Sequence, residues 1–278
     1  MRRPLLAIDG DSFAHRAFHA LPRSLRRADG RPGNLLYGLT SMVARLWLAE
    51  QPRAVVVGWD TLDAPTYRNE LLPSYQSGRV FDPDLVEQLD LAPGLLTSLG
   101  AVCVKRAGYE ADDVLAAAVA SERAAGGSVL VATSDRDAFQ LAADDVTILQ
   151  PVRGVSELAR SGPAEVRERY GVEPGQVPDF IALRGDPSDK IPGARGVGAK
   201  GAASLLAGGA TLESLLEAGR FGAEAAALRT FRRVATLDPA VPLPSLPDRE
   251  PDWAAAGAAA RALGLERLAQ RLEDGSWS

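Results

Sequence analysis

Three times in the first half of this chain, an apolar run with the character of a buried strand stops at an aspartate. Leu5-Leu6-Ala7-Ile8 runs into Asp9, Ala54-Val55-Val56-Val57-Gly58-Trp59 into Asp60, and Val129-Leu130-Val131-Ala132-Thr133-Ser134 into Asp135 and then Asp137. In an open parallel sheet, side chains at the carboxyl ends of the strands converge on the edge where such sheets bind ligands. Carboxylates crowded there repel one another unless cations hold them ionised. Hard divalent cations with oxygen ligands are the natural partners, so the pattern predicts a magnesium or manganese centre.

The remaining patterning sets the fold class. Strand and helix signals alternate to about residue 150 and then become mostly helical. This predicts an α/β core over 1–160, a mainly parallel central sheet flanked by helices, followed by a helical extension over 161–278. Leu35, Leu36, Leu39, Met42, Val43, Leu46 and Trp47 recur at helical spacing, which predicts a core-facing helix from Asn34, opened by Pro32-Gly33. The stretch 61–93 carries no strand signal and is long for a connection, which marks it as functional or mobile. Short helices are expected over 163–172, 176–185 and within 199–219. The tail from Trp253 should be helical with Leu265, Leu268 and Leu272 on one face, after an irregular crossing over Pro239–Pro251.

With 278 residues, 46% of them hydrophobic, the chain can bury one large core or two smaller ones. No apolar run approaches the ~20 residues of a membrane span. Met1-Arg2-Arg3-Pro4-Leu5 enters the first strand without a secretory signal, which predicts a cytoplasmic location. The lone Cys103 lies in a strand-like Ala101-Val102-Cys103-Val104 and is expected to be a small core hydrophobe. A net charge of −5 taken alone argues against a nucleic-acid partner. Gathering the acids into one metal site, however, leaves a slightly basic remainder able to carry a phosphate-binding track.

Further acids strengthen the centre. Glu110, Asp112 and Asp113 enter a helix at its N-terminus, where the macrodipole favours negative charge by ~0.3–1 kcal/mol each, so capping alone is one explanation. Asp112 beside Asp113, joined to three strand-end acids, favours the metal. Asp186 and Asp189 share a Gly-Asp-Pro-Ser-Asp segment that in isolation is a turn. After it comes Gly193-Ala194-Arg195-Gly196-Val197-Gly198-Ala199-Lys200-Gly201. No strand precedes this glycine-rich segment, so a dinucleotide site is excluded, and Ala199 stands where a phosphate-binding loop requires glycine. A glycine-rich turn that opens a helix beside Lys200 suits a nucleic-acid backbone instead.

Together and in this order, the segments resemble the 5′ nuclease domain of bacterial DNA polymerase I and the flap endonucleases, from Leu5 to about Pro244. The resemblance rests on Asp9-Gly10 with Phe18-His19-Ala20-Leu21, the Asp60 strand end, Gly108-Tyr109-Glu110-Ala111-Asp112-Asp113-Val114-Leu115, Ser134-Asp135-Arg136-Asp137, Gly185-Asp186-Pro187-Ser188-Asp189 and Gly196-Val197-Gly198-Ala199-Lys200. It implies a helical arch over 61–93, a helix-two-turn-helix DNA grip in the extension, and two divalent ions ~3.5–4 Å apart acting on a phosphodiester. Asp9, Asp60, Glu110 and Asp112 would hold the first ion. Asp135, Asp137 and Asp189 would hold the second, with Asp113 and Asp186 bridging or acting through water.

The same resemblance assigns Arg68 and Arg79 of the arch to the reacting phosphate. Gln76 departs from it, since a lysine is usual there, and Lys190 stands where asparagine is common. Arg23, Arg26, Arg27 and Arg31 would line the DNA junction, Gly196, Gly198 and Lys200 would grip the duplex, and the carbonyls of Gly193, Ala194 and Val197 would hold a potassium ion. His15 and His19 are expected to pack or to touch phosphate, since an oxygen-ligand site needs no imidazole. The implied protein is a stand-alone, monomeric 5′ flap endonuclease and 5′-3′ exonuclease of replication and repair. Its substrates would be DNA with 5′ flaps, nicks or 5′ ends, and RNA primers. Two alternatives remain: a structure-selective DNA-binding protein without catalysis, which Gln76 favours and the full set of acids opposes, and a small RNA-cleaving nuclease on a similar sheet, which would lack the arch and the glycine-rich extension.

Overall fold

The computed structural model describes residues 2–62, 64–153, 157–275 and 277. Strands β1 (Leu5–Asp9), β2 (Ala54–Trp59), β3 (Val102–Lys105), β4 (Val129–Ala132), β5 (Val146–Arg153) and β6 (Glu157–Ser161) form one sheet in the order β3-β2-β1-β4-β5-β6. The first five are parallel, and β6 returns antiparallel at the edge. β1 and β2 are buried at every position, as strands covered on both faces must be. Alternate residues serve two cores: Leu5, Ala7 and Val56 face one, while Leu6, Ile8, Val55 and Val57 face the other.

The second core is closed by α1 (Gly10–Ala20), α2 (Asn34–Glu50) and, after the short α3 (Tyr67–Leu71), by α4 (Pro83–Leu99). All seven apolar residues expected on α2 are buried. The first core is covered by α5 (Ala111–Ala124) and then by the helical extension: α6 (Pro163–Tyr170), α7 (Val177–Arg184), α8 (Ala199–Leu205), α9 (Leu212–Glu217) and α10 (Ala225–Ala235). Residues 239–251 hold no helix or strand and cross back, with Arg53 Nη1 donating to the Leu246 carbonyl at 2.6 Å. The helices α11 (Trp253–Ala262) and α12 (Glu266–Asp274) then pack on the second core, burying Leu265, Leu268 and Leu272. Among the described residues no helix is long and apolar enough to cross a membrane.

The strand order positions the functional edge. From β1 the chain leaves through α1, whose Phe13 and Ala14 enter the second core; after β4 it turns the other way, sending Ala138 and Phe139 into the first. Adjacent strands whose exits diverge leave a crevice at their carboxyl ends. Gly10 lets α1 start flush against the sheet, because a Cβ there would lie 2.8 Å from the Gly58 carbonyl oxygen.

One expectation is corrected here. The arch does not extend to residue 93, because Asp82 caps α4 and Leu85, Leu89 and Ala92 on that helix are buried. Their spacing of four and three is a helix signal within the segment. Only residues 60–82 lie between β2 and α4, and α3 within them is five residues long.

Candidate metal centre

Each strand-end acid is fixed by the element that follows it. Asp9 caps α1, its Oδ1 accepting from Ser12 N at 2.9 Å, while its Oδ2 accepts from Thr133 Oγ1 beyond β4 at 2.7 Å. Asp60 accepts from Ala111 N at 2.7 Å and so sets the start of α5, where Glu110 and Asp112 stand. Asp135 and Asp137 follow β4, with Asp137 N donating to Asp135 Oδ1 at 2.9 Å. Two adjoining cavities result. One of about 410 Å³ is lined by Asp9, Asp60, Glu110, Asp112 and Asp135, together with Asp11. The other, of about 710 Å³, is lined by Asp135, Asp137, Asp186 and Asp189. Asp135 belongs to both.

Sequence reasoning missed Asp11. It is buried beside the first cavity and accepts the Asp60 backbone N–H at 2.7 Å. The signal was its place two residues after Asp9, but its partner lies 49 residues away in the chain. His15 lines the same cavity and packs on Phe81 with ring centroids 5.6 Å apart. Burial, and then the neighbouring His19, lowers its pKa. Cys103 is half-buried on β3, and burial pushes its thiol up, which suits packing rather than attack.

The acids are held away from ionisation. Burial, and then the neighbouring Asp60, raises Asp9 to about 7, and burial raises Glu110 to about 7 against the opposing pull of Arg68. Burial followed by the charge of Asp135 lifts Asp112 and Asp137 well above the carboxylate range. Burial and then Asp60 does the same to Asp11. Groups of this kind bind protons more tightly folded than unfolded. Their stabilising effect is complete below their unfolded values of about 4 and is lost as pH rises through about 7. Thermal unfolding in a chelator is therefore expected to show a midpoint that falls by several degrees between pH 5 and pH 8, with magnesium restoring it. A midpoint that rose over that range would contradict the coupling.

These residues fit a hard cation. The donors are all oxygens, and Asp112 Oδ1 is a buried atom with no hydrogen-bond partner, a state that calls for an ion or other donor. Among the described residues no three acidic, histidine or cysteine side chains form a ready-made cage.

Other predicted residues do not join the site. Arg68 is 2% exposed and donates to both oxygens of Asp113, at 2.6 and 2.8 Å, and to the Val234 carbonyl at 3.0 Å. It therefore does not face a phosphate. Asp113, 0% exposed, also accepts from Asp238 N, Glu110 N and Tyr67 Oη, so it neither bridges metals nor lines either cavity. At this position helix capping and ion pairing prevail. Arg27 is likewise buried, its Nη2 donating to both Glu87 carboxylate oxygens at 2.6 and 2.7 Å, and is not available to DNA. Arg23 pairs with Asp82 and Arg31 with Glu87, though both stay exposed, and Arg26 donates to the Gly30 carbonyl.

By contrast, Arg79 lines the first cavity, with its Nη2 3.3 Å from Asp189 Oδ1. Gly196, Gly198 and Lys200 are exposed at the start of α8. Gly193 has φ +78°, and a Cβ there would lie 2.5 Å from Gly185 N, so the turn that carries Asp186 and Asp189 closes only over glycine.

The site is thus a set of carboxylates that call for cations, in a sheet-end crevice beside a glycine-closed turn. A family model described as 5′-3′ exonuclease, N-terminal resolvase-like domain, matches residues 4–171, and one described as 5′-3′ exonuclease, C-terminal SAM fold, matches 172–252. A 5′-3′ exonuclease of Mycobacterium tuberculosis is 37% identical over 238 residues, covering 78% of this chain and 74% of that protein. The chain belongs to the 5′-3′ exonuclease family. DNA polymerase I of Mycobacterium bovis is 40% identical over 255 residues, 88% of this chain and 28% of the polymerase, so the chain spans little more than a quarter of that relative. The fold is shared with T5 5′-exonuclease bound to zinc, with a TM-score of 0.69 at 19% identity over 98% of both chains. It is also shared with the catalytic core of Rad2 in complex with DNA substrate, with a TM-score of 0.64 at 12% identity over 99% of this chain and 92% of the other.

Proposed function

We propose that this chain is a cytoplasmic, monomeric, structure-specific 5′ nuclease that cleaves 5′ flaps and removes nucleotides from 5′ ends and nicks, RNA primers included, using two Mg²⁺ or Mn²⁺ ions. The observation that carries this reading is the pair of adjoining acid-lined cavities with Asp135 common to both. Asp9, Asp60, Glu110 and Asp112 would hold one ion and Asp137, Asp186 and Asp189 the other, with Asp135 lining both cavities. When bound, the ions supply an activated water and a counter-charge for the leaving oxygen. Arg79 meets the charge developing on the phosphate. The backbone at Gly196 and Gly198, with Lys200, holds the duplex, and the carbonyls of Gly193, Ala194 and Val197 offer a potassium seat. Arg26 and the exposed faces of Arg23 and Arg31 flank the junction. The Rad2 core solved with DNA substrate and the zinc-bound T5 exonuclease support the choice of partner and cofactor class.

The test is incubation with a 5′-flapped duplex in magnesium, in manganese and in chelator. Cleavage near the junction is expected with either metal and none with chelator. Tight binding with no metal-dependent cleavage would establish the non-catalytic alternative in its place.

A further inference from the structure

Two features that fit no pattern in the sequence, Gln76 and Lys190, face each other across one seam. We propose that Gln76 is the positioning residue for Arg79, and that Gln76 and Lys190 together fasten the arch to the 186–191 turn at the mouth of the second cavity. The inference rests on the nuclease reading for the role of Arg79, but the fastening stands on geometry alone.

The Gln76 amide is fully engaged. Its Nε2 donates to Asp189 Oδ1 at 3.0 Å and to Tyr75 Oη at 2.9 Å, while its Oε1 accepts from Arg79 Nη1 at 2.7 Å. Tyr75 in turn donates to Glu110 Oε2 at 3.0 Å, so the chain of bonds reaches the first cavity. The amide of glutamine offers both a donor for the carboxylate and an acceptor for the guanidinium. Lysine at this position lacks the acceptor and would repel Arg79; glutamate lacks the donors and would repel Asp189. From the opposite wall, Lys190 Nζ donates to the Ser77 carbonyl and, at 3.0 Å, to Ser77 Oγ. The Gln76 backbone N–H also reaches the Asp189 carbonyl at 3.4 Å.

Backbone strain coincides with these contacts. Among the described residues, the non-glycine positions with positive φ are Gln51, Gln76, Lys190 and Phe221. Gln51 caps α2, and Phe221 opens a short helical turn. Gln76 and Lys190 do neither, at φ 48° and 58°. Left-handed backbone at two such residues persists where surrounding contacts over-determine it, and it clusters at functional sites. The contacts here are those that set the Arg79 guanidinium between the first cavity and Asp189.

The test compares Arg79→Ala, Gln76→Ala and the double variant by single-turnover cleavage of a 5′-flapped duplex in magnesium. DNA affinity is followed in calcium, and Lys190→Met is examined by hydrogen exchange of the free protein. Arg79→Ala should lower the rate ~10²-fold. Gln76→Ala should lower it ~10-fold with affinity unchanged within about twofold, and should add less than about twofold in the Arg79→Ala background, because it acts through that arginine. Lys190→Met should speed exchange at the Ser77–Arg79 amides by ~10-fold. Multiplicative losses in the double variant would overturn the positioning role, and unchanged exchange would overturn the fastening. A wild type that cleaves nothing would instead remove the nuclease reading and leave exchange to decide the latch.

Discussion

Asp135→Ala should abolish metal-dependent cleavage while leaving the protein folded, with duplex affinity within a few-fold of wild type. Asp135 is the one carboxylate common to both cavities, and no other acid there is placed to replace it. Metal stabilisation of a phosphoryl transition state is worth several kcal/mol. Losing ~4 kcal/mol of it corresponds to a ~10³-fold slower reaction at ~1.4 kcal/mol per tenfold. Stability should move the other way. The Asp135 charge is, after burial, the largest cause raising Asp112, Asp137 and Asp189, so its removal relieves three neighbours at once. In chelator at pH 8 the variant is therefore expected to melt at or above the wild-type temperature. Residual magnesium-dependent cleavage within tenfold of wild type would refute the shared role, and a large drop in melting temperature would refute the account of repulsion.

The second large effect concerns folding. Arg68→Ala would leave Asp113 fully buried without its cation, the circumstance in which breaking an ion pair costs ~3–5 kcal/mol. At the ~2–4 °C per kcal/mol typical of chains near this size, the melting temperature should fall by ~6–20 °C. Replacing the pair together by Arg68→Met and Asp113→Leu should cost less than Arg68→Ala alone, since no charge is then stranded. Thermal unfolding in magnesium measures both. An Arg68→Ala midpoint within 2 °C of wild type would show that the pair does not hold the structure.

Those two residues also mark where the sequence stops being informative. The strand-end aspartates could be placed beforehand because burial on both faces leaves continuous apolar runs, and a charge at the end of such a run is conspicuous. The seven apolar positions expected on α2 and the three leucines of the tail were predictable for the same reason of period. Whether an arginine faces solvent, substrate or a partner acid leaves no local trace. Arg68 meets Asp113 across 45 positions and Arg27 meets Glu87 across 60, so both looked like free cations. Asp113 looked like its neighbour Asp112, yet a single residue step, about 100° of helix phase, sends the first into the core and the second into a cavity. The same dependence on distant contacts hid Asp11, and it hid the link between Gln76 and Lys190.

The buried Arg68–Asp113 pair has a mechanical side as well. Arg68 bonds to Val234 O, Tyr67 Oη to Thr236 O, and Asp113 to Asp238 N, so the foot of the arch, the start of α5 and the end of α10 are riveted at one point. This rivet makes the helical extension and the acid-lined edge of the sheet parts of one frame. On the proposed function, the span between them would act as a ruler, setting where a bound strand is cut by the body of the protein rather than by the sequence of the nucleic acid.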